Sequence, residues 1–380
     1  MKPVSVRDYR RLAERHLPPF LFEYIDGGAI DEQTLRSNIQ DLAAVVLRQR
    51  VLTDVSALDT TAHLFGSRQR IPLVLAPVGL AGMNRRRGEI SAARAAERFG
   101  ASFCLSTVST CSLSEVADAT EAPFWFQLYM MRDRGFMRDL LQKADESGCS
   151  ALVFTVDMPL AGIRYRDYRS GLAGEGRITG AVKRLAQALR RPRWTWDVGV
   201  MGRPHTLGNI APALTERPPL QDFFAWMARN FDPRVSWRDL EEIRAHWRRP
   251  LIIKGILDPA DARQAVALGA DGVVVSNHGG RQLDGALSTT RALPAVVDAV
   301  GEQTTVLVDG GVRSGVDVAR MLSLGADGVM IGRAWVYALA AAGESGVHAL
   351  LCQIEAELRV TMALSGTVRV EDFGVHSIQP

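Results

Sequence analysis

From Ile71 onward, short apolar runs bounded by glycine or proline alternate with stretches whose apolar positions recur at helical spacing. The strand candidates are 72–76, 102–106, 124–129, 152–157, 251–255, 272–276, 305–309 and 328–332. Between them 89–99, 113–119, 133–146, 237–246, 259–268, 291–300 and 315–324 have helix-forming composition, several with a Ser, Asp or Thr at the entry. Strands covered on both faces read as continuous rather than alternating apolar runs, and eight of them alternating with helices close into a barrel. The predicted fold is therefore α/β, a (β/α)8 TIM barrel in a single domain over 1–380. A helical N-terminal extension occupies 1–70, the barrel 71–340, and a C-terminal helix and tail 341–380. The near-repeat of Gly269-Ala-Asp-Gly-Val-Val-Val-Ser by Gly325-Ala-Asp-Gly-Val-Met-Ile-Gly fits one βα unit used twice.

Within the extension, 6–16 is amphipathic, Pro18 and Pro19 interrupt it, and 20–25 forms a short apolar turn that carries Tyr24. One connection breaks the barrel's rhythm. About eighty residues, 158–236, separate the fourth strand from its helix, where a handful is usual. This insertion after strand four contains Arg177, Lys183, Arg184, Arg190, Arg191 and Arg193 with no acid between them, while Ile178, Val182, Leu185 and Leu189 recur at helical spacing and Trp194 and Trp196 follow. A basic amphipathic helix with tryptophans has the composition of a segment lying on an anionic membrane surface, here 177–196. The same pattern also suits an active-site lid whose apolar stripe packs on the barrel, and composition does not separate the two.

Composition narrows the class. A chain of 380 residues, 47% hydrophobic and 23% charged, is an ordinary globular protein, and a net charge of +3 is too small to imply nucleic acid. The four cysteines, Cys104, Cys111, Cys149 and Cys352, have no metal-ligand or disulfide-framework spacing, so no metal is expected and a reducing cytoplasm fits. No secretory leader is expected, nor any uncharged run approaching the roughly 18 to 20 residues that cross a bilayer.

Chemistry gathers at the carboxyl ends of the strands, where barrels carry their active sites. Strand one leads into Ala76-Pro77-Val78-Gly79 and strand two into Ser106-Thr107; strand three carries Gln127 and Tyr129. Strand four ends in Thr155 and Asp157 with Arg164 shortly after, and strand five carries Lys254. Strand six ends at Ser276 and opens into Asn277-His278-Gly279-Gly280-Arg281. The last two strands end in Asp309-Gly310-Gly311-Val312-Arg313 and Gly332-Arg333. Glycine turns at these two positions present backbone N–H groups to a phosphate, with two arginines to clamp it. Lys254 on an apolar strand is costly to bury unless it meets an anion or an electron-rich ring. Arg164, Arg281, Tyr24 and Tyr129 suit a small carboxylate, because a guanidinium fork pairs with it bidentately and a phenol adds a further hydrogen bond. His278 is the candidate base, and Asp157 the carboxylate that fixes its tautomer. Together they predict proton abstraction from a small 2-hydroxy acid beside a phosphate-bearing cofactor.

Ser276-Asn-His-Gly-Gly-Arg-Gln-Leu-Asp284, with Tyr24, Ala76-Pro-Val-Gly79, Leu105-Ser-Thr107, Gln127-Leu-Tyr129, Thr155-Val-Asp157, Ile253-Lys-Gly255 and Asp309-Gly-Gly-Val-Arg313, closely resembles the FMN-dependent α-hydroxy acid dehydrogenases and oxidases. Nearly the whole chain takes part in the resemblance. It is greatest to the family's bacterial respiratory L-lactate dehydrogenases, through 194–209 and Tyr337-Ala-Leu-Ala-Ala-Ala-Gly343. The resemblance implies FMN, with its phosphate near Arg313, Arg333 and the turn between them. Ribityl and ring contacts would come from Ser106, Gln127, Thr155, Asp309 and Lys254. It implies a substrate carboxylate between Arg164, Arg281 and Tyr24, with Tyr129 on the hydroxyl. L-lactate is the favoured substrate and quinone the acceptor, the latter from Pro-Val-Gly79 where oxidases of the family often carry alanine. The enzyme would then sit peripherally on the cytoplasmic face of the inner membrane, or in the cytoplasm if the insertion is only a lid, as a homo-oligomer. An oxygen-reducing oxidase of lactate, glycolate or mandelate is the rival within the family; a non-redox barrel binding a phosphorylated ligand is the rival outside it.

Overall fold

The computed structural model describes residues 2–174, 176–203, 205–210 and 223–379. Eight parallel strands close into a barrel: β1 (Leu73–Leu75), β2 (Ser102–Ser106), β3 (Trp125–Tyr129), β4 (Ala151–Thr155), β5 (Leu251–Ile256), β6 (Gly272–Val275), β7 (Thr305–Val308) and β8 (Gly328–Ile331), with β8 paired to β1. The predicted TIM barrel is the observed fold. Inside it Val74, Cys104, Trp125, Val153, Ile252, Val274, Leu307 and Met330 pack against one another, each fully withdrawn from water. Burial of an aliphatic side chain contributes about 1.5–3 kcal/mol, so this cluster accounts for much of the closure.

Three helices precede the barrel: α1 (Val6–His16), α2 (Pro19–Asp26) and α3 (Gln33–Ala44). Pro18 caps α2 and Pro19 occupies its first turn, where a missing N–H costs nothing. The extension is not helical throughout. A hairpin of Ala62–Leu64 against Ser67–Gln69 closes the amino end of the barrel, its Phe65 ring 5.5 Å from that of Trp125 in an edge-on arrangement. A Cβ at Gly272 would come within 2.5 Å of the Phe65 ring, so the first position of β6 is held to glycine by this plug.

The chain's last long helix, Arg333–Ser365, begins inside the region assigned to the barrel and breaks at Ala342 and Gly343, the latter at φ +64. It packs on α1, on helix Gly88–Phe99 and on helix Gly315–Ser323. In the insertion, helices Tyr165–Ser170, Arg177–Leu189 and Phe223–Asn230 stand on the carboxyl face of the barrel, with a π-helical turn at Thr195–Val200. Among the described residues no helix is long and apolar enough to cross a membrane.

Candidate active site

A cleft with about 1070 Å³ of empty volume opens at the carboxyl end of the barrel. Tyr24, Pro77, Val78, Gly79, Tyr129, Thr155, Arg164, Lys254, His278, Arg281, Asp309, Gly310, Gly311, Arg313, Gly332 and Arg333 all line it. The four other predicted residues, Asp157, Ser106, Gln127 and Ser276, stand behind the lining and are bonded to it or to each other.

His278 follows β6 at φ +56, a left-handed conformation that costs an ordinary residue about 1–2 kcal/mol. Two bonds hold it there: its N–H donates to Ser276 Oγ at 3.1 Å, and its Nδ1 lies 2.8 Å from Asp157 Oδ1. Room for Asp157 comes from Gly255, where β5 loses register against β6; a Cβ there would sit 2.6 Å from Asp157 Cβ, and φ is +112. Burial pushes the His278 imidazole below its ordinary pKa, with Lys254 and Arg281 acting the same way and Asp157 opposing. The ring is therefore neutral at neutral pH. Burial alone would raise Asp157, but His278 and then Lys254 outweigh it and keep the carboxylate ionised.

Lys254 is buried with its Nζ 3.0 Å from Asp309 and 2.8 Å from Ser276 Oγ. Burial disfavours the ammonium, yet Asp309 and Asp157 together hold its pKa above the usual lysine value. Gln127 accepts from Ser106 Oγ at 3.0 Å. On the other side its Nε2 is a buried donor with no partner, and Thr155 Oγ1 and Asp309 Oδ1 are likewise buried and unsatisfied. A buried polar atom left without a partner costs about 1–3 kcal/mol, so these three beside a charged lysine call for a polar planar group at the base of the cleft. A flavin ring with its carbonyl and N–H edge fits that set, and the paired glycines at 310 and 311 beside Arg313 fit its phosphate.

The cations at the mouth are arranged differently. Among the described residues Arg164, buried, has a long bond from its Nε to the Arg281 carbonyl at 3.4 Å and a loose ion pair to Asp167 at 3.7 Å. Burial, then the charge of Arg281, lowers its pKa to about 10. Both guanidinia lie over the Tyr24 ring, at 5.8 and 5.0 Å from its centroid. Arg281 Nη1 donates to the carbonyls of Tyr24 and Gly27 at 2.6 and 3.0 Å. Arg333, predicted as half of a phosphate clamp, spends three N–H groups on the carbonyls of Ile25, Gly279 and Gly27, each at 2.9 Å, and burial and Arg281 lower its pKa to about 9. It fastens the α2 turn to the His278 turn, while Arg313 Nη1 bonds only its neighbour's carbonyl. Arg166, two residues past Arg164, pairs with Glu23, Asp26 and Glu32 and so ties the insertion to α2.

Sequence reading missed Val108, Met158 and Met227, which give the cleft an apolar wall. Met158 directly follows Asp157 and could have been found from its place at a strand end; Met227 comes from helix Phe223–Asn230, whose approach no local pattern announces.

The insertion helix Arg177–Leu189 turns its apolar stripe outward. Ile178, Val182, Leu185 and Leu189 are 79%, 62%, 60% and 65% exposed, so the lid reading's packed stripe is absent. The inner face instead bonds the carbonyls of Gly171 and Ser170 through Arg184 and Gln187. Of the two tryptophans, Trp194 is buried with its indole N–H on the Met83 carbonyl at 2.7 Å; Trp196 is exposed, as are Val200 and Met201 beyond the predicted segment.

The sequence profile of the FMN-dependent dehydrogenases matches residues 13–380, and the chain belongs to that family. FMN is accordingly its cofactor. Among its relatives, the L-lactate dehydrogenase of Caulobacter sp. (strain K31) is 62% identical over 362 residues, 95% of this chain and 94% of that one. That of Alcaligenes faecalis is 58% identical over 369 residues, 97% of each. Of solved structures, the monotopic membrane protein (S)-mandelate dehydrogenase superposes with a TM-score of 0.93 at 34% identity over all of both chains, and a mandelate oxidase with 0.83 at 38% over 97% of this chain and 96% of the other.

Proposed function

We propose that the chain oxidises L-lactate to pyruvate and passes the electrons to a quinone in the membrane. The observation that carries the reaction is a neutral imidazole, oriented by a buried carboxylate, in the same cleft as two guanidinia, Arg281 on backbone carbonyls and Arg164 in a loose 3.7 Å ion pair with Asp167. Arg164 and Arg281 take the substrate carboxylate over the Tyr24 ring, and Tyr129, whose burial and proximity to Asp157 hold its phenol protonated, donates to the hydroxyl. His278 accepts the substrate proton at Nε2, since Nδ1 belongs to Asp157, which then stabilises the imidazolium. Bound FMN supplies the two-electron acceptor. Lys254, with Gln127 and Thr155, would hold its ring, and Arg313 with the turn at Gly310 and Gly311 its phosphate. Lactate is favoured over mandelate by the relatives at 57–62% identity, which bear the lactate name.

Quinone as acceptor and a peripheral seat on the cytoplasmic face of the inner membrane are supported by the outward apolar stripe. Four exposed aliphatics beside Arg190 and Arg193 forfeit about 1.5–3 kcal/mol each unless something apolar covers them. The monotopic membrane neighbour points the same way. Anaerobic addition of L-lactate to the yellow protein should bleach its flavin absorbance, and a quinone-like dye should then be reduced far faster than oxygen is consumed. Bleaching by mandelate but not lactate would refute the substrate, and brisk oxygen uptake the acceptor.

A further inference from the structure

Beside the exposed turn at Thr195–Val200 lies a second pocket, which shares no lining residue with the flavin cleft, with about 1380 Å³ of empty volume open to solvent. Arg86, Arg87 and Arg203 line it, with the polar rim of Thr110 and Ser112 and the thioether of Met201. Three arginines in succession, Arg85 to Arg87, supply its charge. Asp197 answers two of them, at 3.4 Å from Arg85 and 3.8 Å from Arg86, and Glu115, also in the lining, answers Arg87 at 2.5 Å. Arg203, set by a 2.9 Å bond from its Nε to the Gly199 carbonyl, has no carboxylate partner among the described residues. Glu89, bonded behind Gly82 and Thr110, adds a third carboxylate on the Arg87 side, so four guanidinia meet three carboxylates and the pocket keeps a positive balance at Arg203. Met201 in the lining is half exposed, and the turn that leads into it carries Trp196 and Val200, also half or more exposed.

We propose that this pocket binds the phosphate headgroup of an anionic phospholipid, with the acyl chains running over Trp196 and Val200 into the bilayer. The proposal rests on the membrane-docking reading and makes it specific. A soluble phosphate would use the arginines but not the apolar side chains of the turn, and a zwitterionic headgroup would bring its own cation to a pocket already positive. A tryptophan at such a border is where an indole meets the headgroup level of a bilayer. The docking surface then has two parts, one the stripe on Arg177–Leu189 and the other this pocket, joined by the turn that carries Trp196.

The test uses the FMN-loaded protein and a soluble short-chain lipid, dihexanoyl phosphatidylglycerol, below its micellar concentration. Calorimetry should show binding to the parent, a loss of roughly tenfold or more in Arg86→Gln/Arg203→Gln, and no change in Arg190→Gln/Arg193→Gln, which removes the same charge from the helix. Thermal unfolding checks that both variants are folded. Equal binding of dihexanoyl phosphatidylcholine, inorganic phosphate bound as tightly as the lipid, or the same loss in both variants would overturn the pocket. Docking is read separately, by sedimentation with vesicles of phosphatidylcholine containing phosphatidylglycerol. A parent that pellets with them but ignores the short-chain lipid refutes the pocket and leaves docking standing, whereas one that binds the short-chain lipid and stays in the supernatant refutes docking.

Discussion

At the barrel mouth Arg164 and Arg281 are drawn out of water toward each other over one aromatic ring, whereas Arg190 and Arg193 on the insertion stand in solvent beside exposed aliphatic side chains. The same residue type thus serves two kinds of recognition. Burial lowers the pKa of Arg164 to about 10, so a carboxylate that enters restores both charge balance and hydrogen bonds in one fixed geometry. An exposed cation loses little by being alone. It acts through the summed field of its neighbours, and that field is screened by salt within about 8–10 Å. On the proposed function, selectivity for a small acid would belong to the first arrangement and attachment to a membrane surface to the second.

The contrast is sharpest if the buried set is broken first. His278→Gln should keep its FMN, read as absorbance, and lose about 100- to 10,000-fold in flavin reduction rate, the usual contribution of a positioned base. Reduction at the parent's rate would remove His278 from the chemistry. Next, Arg164→Met should raise KM for lactate roughly 10- to 100-fold, because charge-assisted hydrogen bonds contribute about 1.5–3 kcal/mol, while Arg190→Gln/Arg193→Gln should leave KM unaltered. On the acid side kcat/KM should fall only below the ordinary histidine range, because His278 takes up its proton late. An unchanged KM in Arg164→Met would separate Arg164 from the substrate. The smallest effect belongs to the stripe: Ile178→Ser/Leu185→Ser should change unfolding free energy in denaturant by only about 0.5 kcal/mol, as surface positions do. A loss of several kcal/mol would mean that the stripe is packed after all.

How legible these features were follows from what each element buries. β2 falls on its predicted bounds, and helix Trp237–His246 does too, because each buries an apolar run, Phe103 to Leu105 and Leu240 with Ile243, that the sequence reports directly. Helix α3 escaped because its inner face is polar. It buries Thr34 and Asn38 along with Leu42, and Asn38 exchanges two 2.8 Å hydrogen bonds with Asn277 across the chain. No local pattern marks an amide pair whose partners are so far apart in sequence. The Phe65 hairpin was hidden likewise, its strands being only three residues each. In the site, side-chain identities at strand ends brought most cleft residues to view. Orientation was not legible: Arg333 faces backbone carbonyls because the α2 turn, sequentially remote, folds over it.

The plug at the foot of the barrel has a consequence for traffic. With Phe65 and Trp125 filling the amino end, the cleft among the described residues opens at the carboxyl end, past Tyr24. On the proposed function, hydroxy acid, keto acid and electron acceptor would then share that doorway. Such a vessel would work by turns, the oxidised acid vacating before the acceptor collects.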